Sequence, residues 1–225
     1  MTAKILALET SGVACSVTTL EDGKLPKITR NPSGQRSAQA LAPAIDRALR
    51  DASWRPDDIE VVAVTSGPGS FTGLRIGVTT AKAIAYATKA KITGVDTLAV
   101  IANQQTEPCE HLTVILDAYR GQLFIAEFCI PDTHTARRIS DTRILDIDEV
   151  INNIPTDSLL TGPGLSRIRD RLPTGIRLAA ESNSQPQAIA VAKLGKEKYA
   201  NGQFDDLWNL APRYFRRSAA EEKLE

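Results

Sequence analysis

Aromatic side chains are scarce in this chain: five Phe, two Trp and four Tyr make up 5% of 225 residues. Its cores must be built from small and branched side chains, which suits close helix–helix and helix–sheet contact. Cysteine is scarce too. Cys15, Cys109 and Cys129 form no Cys-x-x-Cys pair and leave an odd count. That argues against a disulfide framework or a zinc knuckle and for reduced thiols. The two histidines, His111 and His134, show neither H-x-x-x-H nor H-E-x-x-H spacing, so both read as surface residues and no metal site is expected. An excess of one charge is also missing, with 27 basic residues against 27 acidic ones. This argues against a protein that holds nucleic acid by its own electrostatics and against a polybasic membrane binder. No apolar run approaches the roughly 20 residues that span a bilayer. The first run ends at Glu9, too short for a signal-peptide core. A soluble cytoplasmic protein is expected.

What is present reads as an α/β protein. Residues 5–8 and 14–20 are β-branched apolar runs joined by Glu9-Thr10-Ser11-Gly12-Val13, a hairpin pattern. Glu21-Asp22-Gly23-Lys24 is a second turn, and a third strand over 25–30 is confined to an edge by Pro26. The loop 31–34 leads to a helix over 37–52 that Ser37 caps. Its apolar stripe is Ala38, Leu41, Ala42, Ile45, Ala48, Leu49 and Ala52; Ala40 and Ala44 lie on a second, small-residue face, and Pro43 should bend it. Residues 61–65 form a buried strand, a glycine segment follows, then an alanine-rich helix to about residue 90 and a strand over 92–95. This crossover implies parallel pairing. Strands are expected at 112–117, 122–130, 137–145 and 159–161, with helices from Thr97, over 148–154 and over 186–200. Both halves open on a strand–turn–strand unit, a repeat in organisation rather than in residues.

The glycine segment, Ser66-Gly67-Pro68-Gly69-Ser70-Phe71-Thr72-Gly73, joins a strand to a helix. Such a turn can aim backbone N–H groups at a phosphate, helped by the helix dipole. It can equally be a tight turn that lets the helix pack closely on the sheet. It lacks the Gly-Lys-Ser/Thr of a Walker loop and the dinucleotide spacing. Glu9, Thr10 and Ser11 could approach a phosphate, or could serve only as turn formers. The helix after the glycines carries charge only at Arg75, Lys82 and Lys89, seven residues apart. That leaves an apolar arc wider than the face a helix buries on one sheet. The excess is met by the 37–52 helix, by another subunit, or by both; a fully internal helix is the alternative. Candidate interface residues are Ala40, Ala44, Arg75, Val78, Thr79, Lys82, Ala83, Tyr86 and Ala87. Candidate phosphate contacts are Glu9, Thr10, Ser11, Gly67, Gly69, Ser70, Thr72 and Gly73. No catalytic set assembles.

On these residues the chain resembles the TsaB (YeaZ) family of bacterial tRNA-modification proteins, within the actin/Hsp70/sugar-kinase (ASKHA) superfamily. The matching stretches are 5–10 with 14–17, Ser66 to Gly77, 94–99, 117–121, 212–216 and 220–224. The resemblance implies two related ribonuclease H-like subdomains, placed at 1–105 and 106–225, each a mixed sheet flanked by helices. It implies a role in making N6-threonylcarbamoyladenosine (t6A) at position 37 of tRNA, in which the TsaD subunit holds the metal and transfers the group. A TsaB-like chain then has no chemistry of its own: it binds TsaD through the two long helices of its first lobe and is joined by the ATPase TsaE. It meets tRNA only through that complex; a further reading, from the size of the apolar patch, is that the same helices pair two copies of this chain when TsaD is absent. ATP or ADP at the interface with TsaD is implied as the one cofactor. The TsaD-type H-x-x-x-H pair is missing here, with Arg36 near its place, and the superfamily's phosphate-site aspartate is replaced by Glu9. The alternatives are a glycoprotease-like peptidase and a stand-alone phosphotransferase.

Overall fold

The computed structural model describes residues 3–12, 14–30, 37–131 and 135–215. Val13, the 31–34 loop, Arg36, the Ser37 side chain, His134 and the tail from residue 216 lie outside them. Strand β1 (Ile5–Glu9) is buried along its whole length. It lies between two others: β2 (Ser16–Leu20) runs antiparallel to it, with Leu8 opposite Val17. On its other side runs the parallel strand β4 described below. The turn at Glu21–Lys24 closes as expected, with Gly23 at φ 78°, and β3 (Lys27–Arg30) follows Pro26 at the sheet edge.

Helix α1 (Ser37–Ala52) is one helix despite Pro43 inside it. Gln39 and Pro43 are both exposed, so the hydrogen bond that proline removes lies on the solvent side. β4 (Val61–Gly67), α2 (Phe71–Thr88) and β5 (Lys91–Asp96) form the expected crossover, with β1, β4 and β5 all parallel. The sheet order is β3-β2-β1-β4-β5. Leu6, Leu8, Val17, Val62 and Val64 share one core with α1 and α2.

After α3 (Thr97–Ala102) comes a second sheet. β6 (Cys109–Asp117) and β7 (Gln122–Ile130) form a long hairpin, and β8 (Arg137–Arg138) and β9 (Arg143–Asp146) both pair with β7. The single strand expected over 137–145 is thus two, broken where Ile139 and Ser140 N–H groups both donate to Glu127 O. Helix α4 (Ile147–Asn153), β10 (Leu159–Thr161) and β11 (Arg177–Leu178) complete the unit. Period-two alternation sorts its core. Leu112, Val114 and Leu116 meet Phe124, Ala126 and Phe128 on the α3 side; Ile115, Leu123 and Ile125 meet Val150 of α4 on the other.

The two sheets repeat one plan. β6, β7, β8, β10 and β11 take the places of β1, β2, β3, β4 and β5, with the same parallel and antiparallel senses. This ribonuclease H-like pattern is the expected fold class. The repeat extends into residues at one point: Gly162-Pro163-Gly164 lies at the end of β10 as Gly67-Pro68-Gly69 lies at the end of β4. Gly67 and Gly162 share a positive φ, 121° and 109°.

The compact units do not follow the division at 105/106. One comprises Met1–Thr97 with Gln187–Glu225, the other Leu98–Pro186. Helix α3 belongs to the second because Leu98, Ile101 and Ala102 join its core. The last helix, α5 (Ala188–Ala200), returns to the first sheet: the Ala188 N–H donates to Ser16 Oγ at 3.0 Å. A Cβ placed on Gly195 would lie 2.6 Å from that of Ala63. An amphipathic helix is legible in sequence, but the sheet it covers is not. No described helix is long and apolar enough to cross a membrane.

Gly195→Leu should therefore destabilise the protein by about 1–3 kcal/mol through overpacking, read as a lower urea midpoint. An unchanged midpoint would show that α5 does not lie on β4.

Candidate functional site: the glycine turn and the outer face of helix α2

The first turn and the glycine segment meet, and the missing side chains explain how. The Ser70 N–H donates to Ser11 O at 2.8 Å. A Cβ on Gly69 would lie 2.6 Å from Ser11 O, and one on Gly73 2.1 Å from Thr10 O. At Gly77, one turn further along α2, it would lie 2.1 Å from Thr10 Oγ1. Any side chain at these positions would push the helix off the turn. Gly67 faces Arg213 O in the same way, at 2.7 Å. Ser70 caps α2, accepting from the Gly73 N–H at 3.2 Å.

Glu9 is 1% exposed. Its Oε1 accepts from the Ser11 N–H at 2.7 Å and from Ser11 Oγ at 2.5 Å. Burial pushes its pKa up to about 7, against the lowering effect of hydrogen bonds from Ser11 and the Gly12 backbone. The Cys15 thiol is pushed up as well, by burial first and then by the charge of Glu9. The Thr10 N–H donates to Thr65 Oγ1 at 3.1 Å, while Thr10 Oγ1 is buried with no hydrogen-bond partner among the described residues.

These residues do not fit a phosphate cradle within this unit. The N–H groups of Thr10, Ser11, Ser70 and Gly73 all donate inside the chain. The Glu9 carboxylate is tied to its own turn. Of the phosphate candidates, the turn and glycine residues are brought together but engage one another; Thr72 alone is exposed. Of the two readings of the glycine segment, close packing is the one this geometry supports.

The interface candidates divide in two. Ala40, Ala44 and Val78 are buried in the core of the first unit, so they do not form a surface face as expected. Ala42, assigned to the inner stripe, is exposed instead. Alanines occur on both sides of α1, and a residue that small fits either environment. On α2, Thr72, Thr79, Ala83, Tyr86 and Ala87 are exposed, as is Arg75. Thr72, Thr79, Ala83 and Ala87 lie at helical spacing in one uncharged stripe.

Arg75 and Lys82 are occupied. A strap over 204–215 crosses the flank of α2, and Lys82 Nζ donates to the carbonyls of Trp208 and Leu210 at 2.9 and 3.1 Å. Arg75 Nε donates to the Tyr214 hydroxyl at 3.0 Å. Its guanidinium sits 4.1 Å from the Phe71 ring, which stacks on Tyr214 at 4.5 Å. Both ends of the strap are anchored on β4 and β5: Arg213 N–H donates to Ser66 O at 2.7 Å, and Asp205 Oδ2 accepts from Gly94 N–H at 2.7 Å. Sequence reasoning missed this strap. The available signal was composition, since Phe204, Trp208, Tyr214 and Phe215 crowd twelve residues of an aromatic-poor chain.

Of the remaining candidates, His111 is a surface residue facing Asp157 at 3.6 Å. In the second unit, Tyr119 and Arg120 take positive φ, 60° and 55°, in the β6–β7 turn, where Asp117 Oδ1 accepts from the Tyr119 N–H. Among the described residues no group of three His, Cys, Asp or Glu could hold a metal.

Glu9 yields a pH prediction. Its folded pKa is raised, so between its ordinary value of 4.5 and about 7 the unfolded chain loses a proton that the folded one keeps. Stability should fall as pH rises through that window and then level off. Glu9→Gln keeps an acceptor for Ser11 and should flatten the profile, gaining on the order of 2–3 kcal/mol at pH 8. Parallel pH profiles for both proteins in thermal unfolding would show that Glu9 does not carry the effect.

Comparison with known proteins accords with this architecture. The family model for tRNA N6-adenosine threonylcarbamoyltransferase, TsaD, matches residues 18–155. The tRNA threonylcarbamoyladenosine biosynthesis protein TsaB of Bacillus subtilis is 31% identical, the alignment covering 97% of this chain and 96% of that protein. Its Escherichia coli namesake is 24% identical over 98% of both. The solved structure of YeaZ from Pseudomonas aeruginosa, 24% identical, superposes with a TM-score of 0.81 over 95% of this chain and all of that one. With the doubled ribonuclease H-like plan and the glycine turn that locks α2 to β1, these matches place the chain in the TsaB (YeaZ) family, a branch of the TsaD family.

Proposed function

We propose that this chain is a non-catalytic subunit of cytoplasmic t6A biosynthesis that docks on and activates a TsaD-type transferase. The observation that carries the reading is the outer stripe of α2. Thr72, Thr79, Ala83 and Ala87 are exposed and uncharged on an 18-residue helix, and small side chains let a partner helix approach closely. The exposed side of α1, with Ala42 and Pro43, is assigned to the same contact.

The chemistry of the first turn supports an auxiliary role. A carboxylate buried against its own serine and a glycine loop filled by its own backbone are built for packing. We therefore assign no nucleotide to this chain alone; ATP or ADP in the complex would depend on groups the partner supplies. The even charge balance supports contact with tRNA through the partners, TsaD and the ATPase TsaE, which would bring the basic surface. Without TsaD, the same stripe would pair two copies of this chain, and the two associations would compete.

Ala83→Arg or Ala87→Arg should abolish co-purification with TsaD while leaving the circular dichroism spectrum and Tm of the free chain unchanged. Reconstituted with TsaD, TsaE and the enzyme that makes threonylcarbamoyl-adenylate, either variant should reduce tRNA modification to the level seen without this chain. Full complex formation by both variants would overturn the docking face. ATP or peptide turnover by the purified chain alone would overturn the auxiliary role.

A further inference from the structure

The aromatic residues of the first unit are distributed unusually. Its main core holds Trp54 alone among them. Six others, Phe71, Tyr86, Phe204, Trp208, Tyr214 and Phe215, lie on α2 or on the strap that crosses it. Trp208 is 70% exposed and Tyr86 66% exposed, their rings edge to face at 5.7 Å. Large aromatic surfaces left in water are the usual anchors of protein interfaces.

The Trp208 ring is displayed on a fixed turn. Asp206 Oδ1 accepts from the Trp208 and Asn209 N–H groups at 3.0 and 2.8 Å, and Lys82 Nζ holds the Trp208 carbonyl from below. Little backbone freedom is left to lose on binding, which favours affinity. Tyr86 adjoins Ala87 and lies three residues from Ala83, so the aromatic pair borders the small-residue stripe.

We infer that the strap is part of the docking surface, with Trp208 and Tyr86 as its anchor, and that the occupant is a helix of the TsaD-family partner. This rests on the proposed function. The occupant follows from chemistry and likeness: the stripe is uncharged and wants an apolar, small-residue helix face. The TsaD family model aligns with a span that includes α1 and α2, so such a partner carries a helix pair of the same placement. A nucleic acid fits poorly, because Arg75 and Lys82 are already engaged and the strap contributes Asp205 and Asp206.

The test uses the full chain labelled with 5-fluorotryptophan, which gives one 19F resonance each for Trp54 and Trp208, assigned with Trp208→Phe. Saturating unlabelled TsaD should shift the Trp208 resonance and abolish its H2O/D2O isotope shift, leaving Trp54, 7% exposed, unchanged. In calorimetric titrations Trp208→Ala and Tyr86→Ala should each weaken binding at least tenfold, with the Tm of the free chain as the check on folding. If Ala83→Arg abolishes binding while Trp208→Ala binds within twofold of wild type and the Trp208 resonance is unmoved, the strap lies outside the interface; the inference fails and the proposed function stands. If Ala83→Arg binds as wild type does, the docking face itself is wrong. A Trp208 resonance that moves with concentration of this chain alone, and not with TsaD, makes a second copy the occupant and overturns the assignment. A response to unmodified tRNA in place of protein overturns it likewise.

Discussion

Backbone contact between the β1–β2 turn and the first two turns of α2 is the constraint on which the first unit depends. Ser11 O receives the Ser70 N–H, and Thr10 presses on Gly73 and Gly77. Because three glycines remove the side chains that would stand between them, helix and turn are held at main-chain distance. The direction of α2 across the sheet follows, and with it which residues face the core and which face out. Glu9 belongs to the same constraint: its carboxylate braces the turn from inside by holding Ser11.

Pinned in this way, α2 has three distinct surfaces. Leu74, Val78, Ala81 and Ala85 enter the core. Arg75 and Lys82 hold the strap, and the threonine and alanine stripe is left uncovered by the described part of the chain. Two of the three cations spaced seven residues apart, Arg75 and Lys82, are the footprint of a chain segment more than 120 residues away. The helix is therefore buried on two sides by its own unit. The surface offered outward is narrower than its apolar arc suggests, and it is bounded by aromatic rings.

The second unit repeats the construction at a smaller scale. Gly162 and Gly164 sit against Ile115 and Leu116 of β6 much as Gly69 sits against Ser11 after β1. Recurrence of Gly-Pro-Gly at the ends of β4 and β10 gives the repeat a physical basis. A chain leaving a central parallel strand must turn sharply where the neighbouring first strand also ends, and only glycine leaves room for both.

Much of this was legible in the residues before any coordinates. Continuous apolar runs marked β1 and β4, turn chemistry placed the hairpins, and the strand–glycine–helix order indicated parallel pairing, since each depends on neighbours in the chain. The family resemblance was legible for the same reason: its motifs are local. Burial of Ala40 and Ala44, exposure of Ala42, return of α5 to the first sheet and capture of Arg75 and Lys82 by the strap were not. Each is a choice among surfaces that pattern alone leaves equivalent. Alanine carries too little hydrophobic area to declare a side, and an amphipathic helix does not say which sheet it covers. An exposed-looking cation has no visible partner until a distant segment folds over it. Local chemistry wrote the elements and their order; long-range packing, which depends on what arrives from elsewhere in the chain, decided which faces were covered and which stayed exposed.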